Sequence, residues 1–179
     1  MKITILSCTD RPGSWALKVS NYVAELYKRL DVETEVVSLE EFPLIDVVGG
    51  KYGEKIPSVE AFNDRVLTTD GLIFVIPEYN GSFPGILKLF VDYLPFPKAF
   101  EKMPMAFIGE ASGAFGALRS VEQFQMIANY RNAFQFPERV FIPRVNREFD
   151  PEKGFEDSFK ETLLNNQVKN FTKFVKDNT

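Results

Sequence analysis

Histidine is missing from this chain altogether. Its absence excludes Ser-His-Asp and Cys-His nucleophile pairs and any imidazole-ligated metal site. It also removes the side chain most often used to move protons near neutral pH. Cysteine is scarce. Cys8 stands alone, so no intrachain disulfide can form, and a reducing, cytoplasmic setting is expected. No apolar run approaches the roughly 20 residues that a bilayer span needs. The opening Met1-Lys2-Ile3-Thr4-Ile5-Leu6-Ser7-Cys8 has the outline of a lipoprotein signal. Its apolar part is too short for a signal core, and it reads as a first buried strand. Positive charge is not in excess either. The 21 Lys+Arg against 25 Asp+Glu leave a net charge of -4, which argues against nucleic acid or an anionic membrane as partner. Chemistry here must come from carboxylates, Lys, Tyr, Cys8 or a cofactor.

What is present points to one α/β domain spanning 1–179. The length suits a single core, and 18 phenylalanines make that core or a groove rich in aromatics. Strand-like apolar runs alternate with amphipathic segments. Lys2 to Ser7, Glu33 to Leu39, Gly71 to Ile76, Met103 to Ile108 and Phe134 to Ile142 read as strands, the second nearer an edge because it is partly polar, and the last made irregular by Pro137. Ala16, Val19, Val23, Tyr27 and Leu30 recur at helical steps, as do Val59, Phe62 and Val66. Ile86 to Leu94 and Leu118 to Tyr130 also read as helices. Ser158 with Glu161 forms a capping-box pattern before a last helix that carries Leu164, Val168, Phe171 and Val175 on one face. Alternating β and α units predict a parallel sheet covered on both sides. Five strands point to a flavodoxin-like three-layer α/β/α sandwich of strand order 2-1-3-4-5. Two connectors complete the chain: Pro43 to Pro57, a candidate lid, and Arg144 to Glu156, expected to be exposed.

In that order the loops after the first and third strands meet at the switch point, where ligands of open α/β sheets bind. They are the two most unusual loops in the chain. The first, Ser7-Cys8-Thr9-Asp10-Arg11-Pro12-Gly13-Ser14, leads into a helix. Hydroxyls, free N–H groups and a guanidinium at a helix N-terminus match a phosphate. An ordinary capped helix, with Ser14 as N-cap and Arg11 in solvent, accounts equally well for the same residues. The second, Pro77-Glu78-Tyr79-Asn80-Gly81-Ser82-Phe83-Pro84-Gly85, offers backbone N–H groups and one aromatic to a flat, polar-edged ring. A third, Gly109 to Arg119, contains Ser112, Gly113 and Gly116 and allows close backbone approach, or is simply a connector. Arg119 opens a helix, where a cation is electrostatically unfavourable, so a ligand role and a solvated one both stand. Trp15 either stacks on a ligand or covers the helix start. Glu78 is a possible general base, though its backbone is the better contributor. Cys8 is better explained as a small buried spacer than as a reactive thiol.

Taken together, the three loops resemble the NAD(P)H-dependent FMN reductases, a flavodoxin-like family with quinone, azo-dye and chromate reductases among its members. The stretch from Pro77 to Gly85, with Leu87, Lys88 and Asp92, carries the most specific part of the likeness. Thr9, Arg11 and Ser14 are similar to the family's phosphate loop. Ser112, Gly113, Gly116, Leu118 and Arg119 are similar to its glycine-rich flavin loop, and Phe136 to Pro143 is also familiar from the group. The resemblance runs from residue 2 to about 145. It implies non-covalent FMN, with its phosphate against Thr9, Arg11 and Ser14, its ring edge facing the backbone of Glu78 to Gly81 beside Pro77, and Ser112 and Gly113 on the other side. It implies ping-pong hydride transfer from NAD(P)H to the flavin and on to a small-molecule acceptor: a quinone, free flavin, azo compound or metal oxyanion. Tyr79, Phe83 and Phe115 would shape the acceptor pocket. A homodimer or homotetramer is implied too. The family often has a small residue in place of Cys8, Asn in place of Trp15 and a hydroxyl residue in place of Ala16, and the last two changes imply weakened but not abolished FMN binding. Two rivals accompany this assignment. A flavodoxin-type electron carrier would have a hydroxyl-rich loop without Arg11 and a more acidic chain. A non-catalytic flavin-binding or partner-binding module would keep the fold with a weakened phosphate site.

Overall fold

The sheet is built on strand β3 (Gly71–Pro77), whose seven residues are all buried. The structure is a computed structural model that describes residues 1–179. β3 lies between β1 (Lys2–Ser7) and β4 (Pro104–Glu110), each in parallel register. β2 (Glu33–Ser38) pairs with the outer side of β1 and forms one edge, which explains its partly exposed pattern. The fifth position is filled in two pieces. β5 (Phe134–Gln135) and β6 (Val140–Ile142) both pair with β4. Pro137 lies in the gap, where no ladder donor is needed. The resulting order, β2-β1-β3-β4-β5, is the one expected from the sequence.

Side chains alternate across the sheet and feed two cores of similar size, 24 and 23 buried residues. Leu72, Phe74 and Ile76 point into one, Ile73 and Val75 into the other, so helices must cover both faces. The first core is aromatic: the Phe74 ring is 4.8 Å from Phe124 and 6.0 Å from Phe107. Truncating Phe74 to Ala is expected to cost about 3–5 kcal/mol. Helix α1 (Trp15–Lys28) buries Ala16, Val19, Val23 and Tyr27. Leu30 falls beyond its end and is partly exposed. α2 (Leu44–Val47) is a single turn, followed by α3 (Pro57–Leu67), α4 (Gly85–Asp92) and α5 (Leu118–Tyr130).

Two connectors and one helix cap differ from the sequence expectation. The 43–57 segment does not reach the switch point. Tyr52 stacks on Tyr93 at 4.8 Å, and the Tyr93 hydroxyl donates to Val47 O, so this segment is packed beside α4 rather than poised as a lid. The Arg144 to Glu156 stretch is not merely exposed. It holds α6 (Val145–Glu148) and a small hairpin, β7 (Phe149–Asp150) with β8 (Gly154–Phe155). Both phenylalanines are buried, Phe149 edge-on to Tyr22 of α1 and Phe155 edge-on to Phe149. The last helix, α7 (Ser158–Asn178), is capped by Asp157, whose carboxylate accepts from the Phe159 and Lys160 amides. Glu161 is drawn away from the expected capping box: it accepts from the Tyr22 hydroxyl at 2.7 Å and from the Phe155 amide at 3.1 Å.

Candidate functional site

Loops leaving the carboxyl ends of β1, β3 and β4 converge on one cavity of about 630 Å³. The β1–α1 loop supplies its first wall. Ser14 caps α1, its Oγ accepting from Leu17 N at 3.1 Å. The preceding amides of Gly13, Ser14 and Trp15 find no protein acceptor. These are the orphan donors that every helix start leaves, together with the positive end of the dipole. Arg11 is exposed on the rim and enters none of the chain's ion pairs. Trp15 is half-buried on the lining, with Lys18 Nζ 4.4 Å from its ring centre. The indole borders the cavity without filling it.

The second wall is a two-residue hairpin turn. Tyr79 and Ser82 exchange backbone bonds of 2.8 and 3.1 Å, and Asn80 and Gly81 between them have φ of 54° and 80°. Asn-Gly is the pair that tolerates two positive φ angles in succession. The geometry leaves the Asn80 and Gly81 amides without a protein acceptor. Glu78 is held at one oxygen by Arg119 Nη1 at 3.4 Å, and its other oxygen is buried with no partner. Arg119 also lies over the Phe115 ring, 4.9 Å from its centre. This arrangement settles the cation at the start of α5: it pairs with the neighbouring loop.

On the cavity wall, β4 ends in Glu110, a residue only 5% exposed. Burial pushes its pKa up to about 7, against the opposing pull of the Ala16 amide and the Arg11 charge. Cys8, at the end of β1, is fully buried with its Sγ 3.3 Å from Leu6 O. Burial raises its thiol well above the ordinary range, as befits a spacer and not a nucleophile.

Ten of the thirteen residues picked from the sequence line this cavity: Arg11, Ser14, Trp15, Pro77, Glu78, Tyr79, Asn80, Gly81, Ser112 and Gly113. Three do not. Thr9 is buried, its Oγ1 shared between the Tyr79 hydroxyl and the Arg11 amide. Ala16 faces the core. Gly116 is buried beneath the loop, where a Cβ would lie 2.9 Å from Ile142 N at a φ of +57°. Phe83 is absent from the lining as well and packs edge-on to Phe124 at 5.7 Å. The sequence reading missed Pro12, Gly13, Glu110, Ala111 and Asn146. Glu110 carried a signal, a carboxylate ending an otherwise apolar strand at the binding edge. Asn146 arrives from α6 and carried none.

Comparison with known proteins agrees with this geometry. The family model for NADPH-dependent FMN reductases matches residues 1–147. An NAD(P)H-dependent FMN reductase of Pseudomonas aeruginosa is 29% identical over 116 residues, covering 63% of this chain and 62% of that protein, so the match spans less than two thirds of that relative. An NADPH azoreductase of a Bacillus species is 25% identical over 177 residues, 98% of this chain and 93% of the relative. Among solved structures, the flavoenzyme NAD(P)H:(acceptor) oxidoreductase FerB of Paracoccus denitrificans superposes with a TM-score of 0.80 at 18% identity, covering 99% and 98% of the two chains; it shares the flavodoxin-like fold. With three loops meeting at the switch point and the family model matching from β1 to α6, the chain belongs to the NADPH-dependent FMN reductase family.

Proposed function

We propose that this protein is an FMN-dependent NAD(P)H oxidoreductase that reduces small acceptors such as quinones, free flavin, azo compounds or metal oxyanions. One observation carries the proposal: a single cavity has unsatisfied backbone donors at two places, the α1 N-terminus and the Asn80-Gly81 turn. Those two groups of donors suit the two polar parts of FMN, a phosphate and a heteroaromatic ring edge. FMN held by these residues would supply ping-pong hydride transfer from NAD(P)H to the acceptor. The protein's part is binding and orientation. Arg11 and the Gly13 to Trp15 amides hold the phosphate. The Asn80 and Gly81 amides take the ring edge, and the Thr9–Tyr79 bond fixes the distance between the two loops. Ser112 and Gly113 border an open side; a Cβ on Gly113 would meet nothing within 4 Å. That side admits the nicotinamide and then the acceptor.

A homodimer or homotetramer belongs to the same proposal. Phe96, Met126 and Tyr130 are 67%, 72% and 76% exposed around a second cavity of about 570 Å³ on α4 and α5, and an apolar face of this kind favours self-association. No helix is long and apolar enough to cross a membrane.

Trp15, the only tryptophan, reports on occupancy. Added FMN is expected to change its fluorescence and raise the melting temperature. NADPH or NADH is then expected to bleach the flavin absorption under argon, and an acceptor to restore it. Unchanged fluorescence and melting temperature on adding FMN would overturn the proposal.

A further inference from the structure

Glu110 closes β4 on the cavity wall with a carboxyl that no side chain in the protein neutralises. It enters none of the ion pairs, and no side-chain hydrogen bond reaches it. The groups around it are few. From the β1–α1 loop comes Arg11, the one cation that acts on it, and from α1 comes the Ala16 amide. Glu78 and Tyr79 share the cavity, but Glu78 is paired with Arg119 and the Tyr79 hydroxyl is bonded to Thr9. Its own loop brings Ala111, Ser112 and Gly113, which are uncharged, and α6 brings Asn146. Arg144, ahead of α6, is paired with Glu148. Among the residues that line the cavity, only Arg11 carries positive charge.

A phosphate group at the α1 N-terminus must share Arg11 and the start of α1 with Glu110, a residue only 5% exposed. Two anions on one cavity that share a single guanidinium repel, and a buried carboxylate that no side chain supports is the one that yields. A proton resolves the conflict and turns an acceptor-only group into one that can also donate.

We propose that Glu110 is a proton-coupled gate on the phosphate site: the phosphate of the flavin enters as a carboxyl oxygen of Glu110 takes up one proton from solvent. This rests on the flavin reading of the cavity and adds regulation to it. Because burial holds the carboxyl near neutrality, modest changes in pH set the fraction of protein able to accept the ligand. Retention of FMN then strengthens as pH falls toward neutrality and weakens above it.

The test is an FMN titration followed by Trp15 fluorescence from about pH 6 to about pH 8.5 for wild type and Glu110→Gln. Wild-type affinity is expected to fall with pH, by up to about tenfold per pH unit above neutrality. The Gln variant is expected to bind on the order of tenfold tighter than wild type at the alkaline end, with a flatter profile. The second ionisation of the FMN phosphate, near pH 6, affects both proteins and cancels in the comparison. Riboflavin, which lacks the phosphate, is expected to show neither the pH dependence nor the gain. Calorimetry of the wild type in buffers of different ionisation enthalpy near pH 8 needs no variant, and is expected to show net proton uptake on FMN binding. Parallel pH profiles in the two proteins, or zero uptake, would overturn the gate while leaving FMN binding intact. FMN bound by the variant alone would support it. FMN bound by neither protein at any pH would overturn both the gate and the flavin reading.

Discussion

The Tyr79 hydroxyl lies 2.8 Å from Thr9 Oγ1, and this one bond joins the loop after β1 to the loop after β3. Thr9 Oγ1 also lies 3.3 Å from the Arg11 amide, so the bond reaches the residue assigned to the phosphate. Tyr79→Phe and Thr9→Val are each expected to lower stability by about 1 kcal/mol. FMN affinity should fall several-fold in each. A double-mutant cycle by urea denaturation should give a coupling energy of about 0.5–1.5 kcal/mol. Additive effects would show that the two loops are held independently.

Much of this was legible in the chain itself. The apolar runs of β1, β3 and β4 are long and bounded by polar or turn residues, and α5 runs from Leu118 to Tyr130 as its periodicity indicates. Strand order then placed two loops together without any long-range information. What the pattern could not tell was the direction in which each loop residue points. Loops have no period, so Thr9 and Gly116 were grouped with Arg11 and Gly113 although they face inward. Gly116 is fixed by Ile142 and Pro143, partners far off in sequence. Asn146 belongs to a segment whose burial depends on Tyr22 and Glu161, which no local signal links to it. The capping box failed for the same reason: Glu161 had a stronger distant use.

Arg11 lines the cavity just ahead of α1 and enters no ion pair. Replacing it with Gln removes the charge while keeping much of the side chain's length. FMN affinity is expected to fall by about 10–100-fold, in line with loss of a charge-assisted contact of about 1.5–3 kcal/mol. Riboflavin affinity should barely change. The FMN-to-riboflavin preference, measured by equilibrium titration, checks this. A variant that loses both ligands equally would place Arg11 on the ring and not on the phosphate.

Cys8 is expected to resist thiol reagents in the native protein. Its sulfur is fully buried, and desolvation keeps it protonated at neutral pH. Labelling by an aromatic disulfide near pH 8 should await denaturant. Cys8→Ala should retain NAD(P)H oxidation and lose about 1 kcal/mol of stability from the small cavity it leaves. Rapid labelling of folded protein, or loss of turnover in a stable Cys8→Ala variant, would point to a chemical role for the thiol.

Glu110 also sets how stability depends on pH in the flavin-free protein. Its folded-state pKa is about 7, against 4.5 for an unperturbed glutamic acid. The protonated form therefore favours the fold. Below about pH 4.5 the group is protonated in both states and its contribution is fully present. As pH rises from there to about 7, the unfolded chain releases the proton while the folded chain keeps it, and that contribution is lost. Above pH 7 the fold carries a buried carboxylate at a cost of up to about 3 kcal/mol. Glu110→Gln has no such burden. Urea denaturation should show the variant more stable than wild type by about 2–3 kcal/mol at pH 8, with the difference closing toward pH 4.5. A difference that stays constant across this range would mean that Glu110 keeps its charge in the folded state, stabilised by Arg11 and the α1 amides.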